Sequence, residues 1–193
     1  MRFFFLFLFL IFSTQSWTKA DDIRDFQIEG ISLGDSLLDY FNKTKIDNKK
    51  YKPWKDKKTY FLFASYNNLS EYDAITFAFL IKDENYKIDE ISGRKFMNYN
   101  QCKLKLNEIS SKISSLFTSA YKDDRGEYSH RMDETKNSKV RGINYILKDG
   151  SLVHTACYDW SNKWENERNY KDSLNIAIAT SKYVEWQKNK AYK

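Results

Sequence analysis

The sequence predicts a single α+β domain. Its antiparallel β-sheet of about five to seven strands packs against one main amphipathic helix, with short N- and C-terminal helices. Three observations predict it. Runs rich in aromatic and β-branched residues recur along both halves of the chain. The stretch after Cys102 carries apolar residues at steps of three and four, the period of a helix buried on one face. Short polar clusters separate these runs, and no repeat, low-complexity segment or linker divides residues 21–193 into two domains.

Residues 1–20, MRFFFLFLFLIFSTQSWTKA, stand apart from that domain. One early charge, a Phe/Leu run from Phe3 to Phe12 and a polar end in Thr18-Lys19-Ala20 follow the order of a secretory signal peptide. Cleavage is expected after Ala20, and the alternative is a retained N-terminal anchor. The apolar run is about half of the ~20 residues that span a bilayer, and no cysteine precedes Cys102 to carry a lipid. The expected product is an exported soluble protein, periplasmic or secreted, with no transmembrane segment in the mature chain.

The mature domain opens on DFQIEGISLGDSLLDYF, Asp25 to Phe41. Phe26, Ile28, Ile31 and Leu33 alternate with polar residues. A Gly34-Asp35-Ser36 turn then leads into a short helix, expected to run to Asn42, with Ser36 as its cap and Asp39 in its first turn. KTKIDNKKYKPWKDKK (43–58) holds Pro53, the one proline, and reads as a basic loop. Tyr51 and Trp54 interleave with its lysines, a pattern that suits an acidic partner.

Thr59–Tyr66 and Ala74–Ile81 read as strands, and Tyr86–Gly93 as a weaker one, at an edge or half exposed. The main helix carries Cys102, Leu106, Ile109, Ile113, Leu116, Phe117 and Ala120 on one stripe, with Asn98 or Asn100 as its cap. Residues 121–139 have no sustained apolar period and read as a long mobile loop, with a short strand near Tyr128–Met132. INYILK and SLVHTACYDW flank Asp149-Gly150, a hairpin turn signal. After the polar loop SNKWENERNYKD comes a last strand, Leu174–Thr180, and a C-terminal helix capped by Ser181.

Charge and chemistry narrow the function. Of the formal net charge of +6, two positive charges, Arg2 and Lys19, leave with the leader. The remainder is ordinary for solubility and makes no nucleic-acid footprint. Cys102 and Cys157 read first as one disulfide in an oxidising compartment, against two separate thiols. The histidines, His130 and His154, lie in no metal-binding motif, and His154 points to the opposite strand face from Cys157. No cofactor-binding pattern occurs: Gly30-Ile31-Ser32-Leu33-Gly34 lacks the third glycine and βαβ context of a phosphate loop.

Three candidate sites follow. Tyr158, Trp160, Trp164 and Tyr170 gather around the loop after the hairpin and could stack on a sugar or anchor a peptide; the alternative is that Tyr158 and Trp160 finish a core strand while Trp164 staples the loop. A hydrolase could use Cys102 with His130 as base, provided that the thiol is free. A carboxylate pair drawn from Asp123, Asp124, Glu127, Glu165 and Glu167 could serve a glycosidase. Asn42-Lys43-Thr44 and Asn68-Leu69-Ser70 match a glycosylation acceptor, which matters only in a eukaryotic secretory pathway.

The opening I-E-G-I-S-L-G-D-S-L-L-D-Y-F and the run Gly150-Ser151-Leu152-Val153-His154-Thr155-Ala156-Cys157 resemble small uncharacterised exported proteins of marine α-proteobacteria. That resemblance implies a short helix, a strand meander and a cysteine-bearing helix, and no catalytic residues. The I-x-L-G-x-S turn into a helix is also similar to the opening of BamE/SmpA-like domains, which implies an α+β binding module of the bacterial envelope. The expected function is a non-enzymatic envelope or periplasmic binding domain, with an envelope protein or glycan as partner. The alternative is a small exported hydrolase.

Overall fold

The fold was described from a computed structural model, which defines residues 22–66 and 69–193. The expected leader and Asn68 of the second glycosylation match lie outside the described residues. Among those described, no helix is long and apolar enough to cross a membrane.

Seven strands form one antiparallel sheet: β1 (Tyr60–Ser65), β2 (Ala74–Leu80), β3 (Ile88–Phe96), β4 (Tyr121–Ser129), β5 (Lys139–Ile146), β6 (Leu152–Asp159) and β7 (Ser173–Ala179). Their order is β1-β2-β3-β7-β6-β5-β4. Two meanders therefore meet where β7 pairs with β3. The chain reaches the far edge through the main helix, α2 (Tyr99–Leu116), and returns strand by strand to the centre. The other helices are α1 (Lys43–Lys49), α3 (Asn162–Arg168) and α4 (Ser181–Asn189).

Alternation divides the sheet into two unlike faces. Ile75, Phe77, Ile91, Ile143, Val153, Cys157, Leu174, Ile176 and Ile178 pack under α2 in one apolar core. Asn98 starts α2 by accepting from the Gln101 N–H at 3.0 Å, and Cys102, Leu106 and Ile113 turn inward. Cys102 is joined to Cys157 of β6, with Cα atoms 5.7 Å apart, so the pair is a disulfide. The opening segment covers the β1–β3 end of this face with Ile23, Ile28, Ile31, Leu33 and Leu37. Gly30 and Gly34, at φ +75° and +87°, supply its left-handed turns. On the second face, α4 lays Tyr183 and Trp186 against Trp54, Tyr60, Ala78 and Ala179. That helix covers only part of the face.

Five local expectations are corrected. β3 lies between β2 and β7 and is no edge strand. Its weak alternation arises because Glu90 and Ser92 are buried on the face opposite Ile91. The first half of residues 121–139 is the edge strand β4, and most of its residues are exposed, so no apolar period marks it. The hairpin end is fixed: the Asp133 carboxylate accepts from Thr135 and Ser138 through both backbone and hydroxyl groups. The opening helix is one 3₁₀ turn, Leu37–Asp39, capped by Ser36, and Asn42 caps the separate α1 inside the basic stretch. Part of the polar loop after β6 is α3, whose residues are all partly exposed. Thr180, not Ser181, caps α4 by accepting from the Tyr183 N–H.

Candidate functional site

The face shared with α4 carries the candidate site. Across the sheet, the register aligns Thr76, Ser92, Ala177, His154, Asn144 and Asp123 in one row. Glu90 belongs to the next row, opposite Ala78 on one side and Ala179 on the other. Small residues dominate the neighbouring positions, so the face sinks between the α4 aromatics and β4. The result is a cavity of about 380 Å³ lined by Glu90, Ser92, Asn144, His154, Tyr158 and Asn175, with Tyr183 and Gln187 contributed by α4.

Glu90 is the anomaly in this lining. Its residue exposure is 9 %, and its Oε2 is fully buried with no hydrogen-bond partner. Burial pushes the carboxyl up to about 8, so at neutral pH it is mostly protonated. Thr155 Oγ1 and Ser161 Oγ are also buried and unsatisfied, yet neither ionises. Ser92 donates to Asn175 Oδ1 at 3.1 Å on the same face.

His154 is held in one tautomer by its neighbours. Asn144 donates through Nδ2 to Asp123 Oδ2 at 3.2 Å, which turns its Oδ1 toward His154 Nδ1 at 2.7 Å. Nδ1 therefore carries the proton and donates, and Nε2 is an acceptor. Burial, followed by the charge of Arg125, lowers this imidazole to about 4, so it is neutral at pH 7. Gly142 opposes Ala156 on the same face; a Cβ there would meet the Tyr128 hydroxyl at 3.3 Å and His154 Cε1 at 3.6 Å.

The four expected aromatic residues do come together. Tyr158 and Trp160 stack with centroids 5.6 Å apart and planes within 7°, and Trp160 meets Tyr170 edge-on at 4.6 Å. Trp164 lies 5.4 Å from Tyr170 and 5.8 Å from Trp160, while His130 closes the group at 4.6 Å from Trp160. All five rings are half-buried, largely against one another. Tyr158 alone of the predicted four also lines the cavity, so the cluster forms its outer neighbour and not its floor.

The hydrolase candidates are dispersed. Cys102 has no free thiol, because it is bonded to Cys157 beneath α2. His130 sits in the aromatic cluster on the other face of the sheet. Asp123 and Asp124 pair with Arg125 and Arg141, and Glu127 with Tyr99 and Lys139. Glu165 and Glu167 are exposed on α3. The cavity instead holds a carboxylate outside that set, Glu90.

Reading the sequence missed Glu90, Asn175 and the role of His154. Their signal was a polar residue recurring at alternate positions on β3, β6 and β7, which merges into one site only once the register is known. A larger cavity, about 740 Å³, lies on the α2 side and is mainly apolar. Its lysines are already engaged, Lys95 with Asp73 and both Lys105 and Lys112 with Glu108. No group of three or more histidine, cysteine or acidic residues placed to hold a metal occurs among the described residues. Comparison with protein-family models, characterised proteins and solved structures finds no match to this chain.

Proposed function

We propose that the protein is an exported, non-enzymatic binding domain that takes a small polar ligand in the cavity beside α4. The observation that supports this reading is the buried Glu90 Oε2 with no partner. Leaving such a group unpaired costs on the order of 1–3 kcal/mol, and a ligand group that pairs with it removes that cost. The cavity falls in the size range of small-molecule sites, and a few convergent polar groups line it beside aromatic rings. The Tyr158–Trp160–Trp164–Tyr170 cluster is the outer lip over which a ligand enters. Export through residues 1–20, and a resemblance to small uncharacterised exported proteins of marine α-proteobacteria, belong to the same proposal; export agrees with a disulfide-bonded fold.

Ala177→Leu tests it. Ala177 lines the cavity between Ser92 and His154, so the larger side chain should fill the space. A library of polar metabolites, screened by thermal shift and confirmed calorimetrically, should yield a ligand whose affinity falls at least about tenfold in the variant, the equivalent of ~1.4 kcal/mol. Trp164→Ala should weaken the same ligand less. Equal binding by wild type and Ala177→Leu would place the ligand elsewhere and end this reading.

A further inference from the structure

Charge decides which ligand suits the cavity. Its ionisable lining comprises Glu90, His154, Arg125, Tyr158 and Tyr183. Arg125 is at the exposed rim and already pairs with Asp123 at 3.1 Å. His154 is a neutral acceptor. Asp89, the neighbour of Glu90 in sequence, is bound by Tyr60, Thr180 and Lys182. Glu90 is thus the one lining group able to carry charge without a counter-ion in place.

The other available groups favour the same partner. His154 Nε2 and the oxygens of Glu90 accept hydrogen bonds, and Tyr158 and Tyr183 add aromatic lining, the surroundings that suit a cation. We infer that the ligand is a small organic ammonium ion whose N–H groups pair with the Glu90 carboxylate in the cavity between Tyr158 and Tyr183. This inference rests on the cavity being the ligand site. An anion would meet Glu90 with no free cation in the lining: Arg125 is held by Asp123, and Arg94, further along the same face of β3, lies outside the lining toward Tyr158 and Tyr51. A neutral polyol would leave the carboxyl protonated.

Binding then carries a proton signature. The ammonium enters already charged, Glu90 gives up its carboxylic proton to solvent, and the ion pair forms with no bond to the ligand made or broken. Around Glu90, burial raises Tyr183 on α4, Tyr158 on β6 and Tyr51 ahead of β1, and lowers His154 on β6. Near pH 7 none of these has a proton ready to leave. Glu90, raised to about 8, does.

The test is calorimetry at pH 7 in buffers of different ionisation enthalpy, with putrescine, ethanolamine, glucose and succinate as probes. An amine should bind and release about one proton per complex. Glu90→Gln should weaken that binding at least about tenfold and abolish the release. Circular dichroism on that variant confirms its fold. Binding of glucose or succinate with both amines silent overturns the ammonium assignment and keeps the cavity as a ligand site. Amine binding without proton release, or unchanged in Glu90→Gln, also overturns it. Amine binding unchanged in Ala177→Leu shows that the cavity itself is not the site.

Discussion

Burial moves Glu90 and His154 in opposite directions, and their effects on stability run against each other. Glu90 rises from 4.5 to about 8, so its folded form favours the neutral acid. The stability that this favours is fully present below pH 4.5 and is lost as pH rises toward 8. His154 falls from 6.5 to about 4, so its contribution is present above pH 6.5 and is lost as pH falls toward 4. Below pH 6.5 the His154 slope opposes that of Glu90, and His130, which burial also lowers, adds to the His154 side. Between pH 6.5 and 8 the Glu90 slope stands alone and should remove about 2 kcal/mol. Urea denaturation between pH 6.5 and 8 should show wild type falling and Glu90→Gln level. A parallel decline in both proteins would show that Glu90 does not set the slope.

Glu29 illustrates the opposite use of a carboxylate. It accepts from Ser70 N, Ser70 Oγ, Glu71 N and Tyr72 N, and so ties the opening segment to the loop before β2. Burial opposes its charge, yet these bonds together hold it down to about 2. A carboxylate satisfied by hydrogen bonds ionises early, and a buried unsatisfied one stays protonated.

At the scale of elements, packing depends on close approach at a few positions. Gly93 of β3 faces Tyr72, and a Cβ there would lie 2.7 Å from the tyrosine ring. Gly93→Ala should therefore lower stability by roughly 1–3 kcal/mol through overpacking, and Tyr72→Leu should recover part of that loss. Thermal denaturation of the single and double variants checks it; full additivity would exclude this contact as the cause. The α4 helix is placed by a different device. Its Trp186 donates through Nε1 to Asp56 Oδ2 at 2.6 Å, while the ring meets Trp54 edge-on at 4.9 Å. Trp54, inside the stretch expected to be a solvated basic loop, thus becomes a wall of the second core.

Elements with one buried face were legible in the sequence. The α2 stripe, the β1 and β2 runs and the Gly150 turn, at φ +85°, are where apolar period and turn chemistry put them. Strands β3 and β4 were not, for contrary reasons. β4 exposes most of both its faces, and β3 buries polar residues on the face where solvent was expected. The candidate site shared that second obstacle. Glu90, His154 and Asn175 sit on three strands, and only the pairing of β3 with β7 and of β7 with β6 gathers them. The aromatic cluster was legible because its members are close in sequence.

The molecule as a whole is two meanders sewn at the β3–β7 seam, and the disulfide reinforces the half beyond it. Cys102 and Cys157 are 55 residues apart, so their bond closes a long loop in the unfolded chain. On the loop-entropy view that is worth about 4 kcal/mol. Reduction, or Cys102→Ala with Cys157→Ala, should lower the denaturation midpoint accordingly while leaving the sheet's circular dichroism intact at low temperature. An unchanged midpoint would mean that the bond constrains little in the unfolded state.

The same bond makes a covalent ring of most of α2 and all of β4 and β5, including the exposed hairpin tip near Met132. A protease that cuts that tip opens the ring without releasing either fragment. The nicked chain would migrate as one species until its thiols are reduced. Six hydrogen-bonded strand pairs would still hold the sheet together. Scission at its most accessible turn would then be a scar and not a sentence.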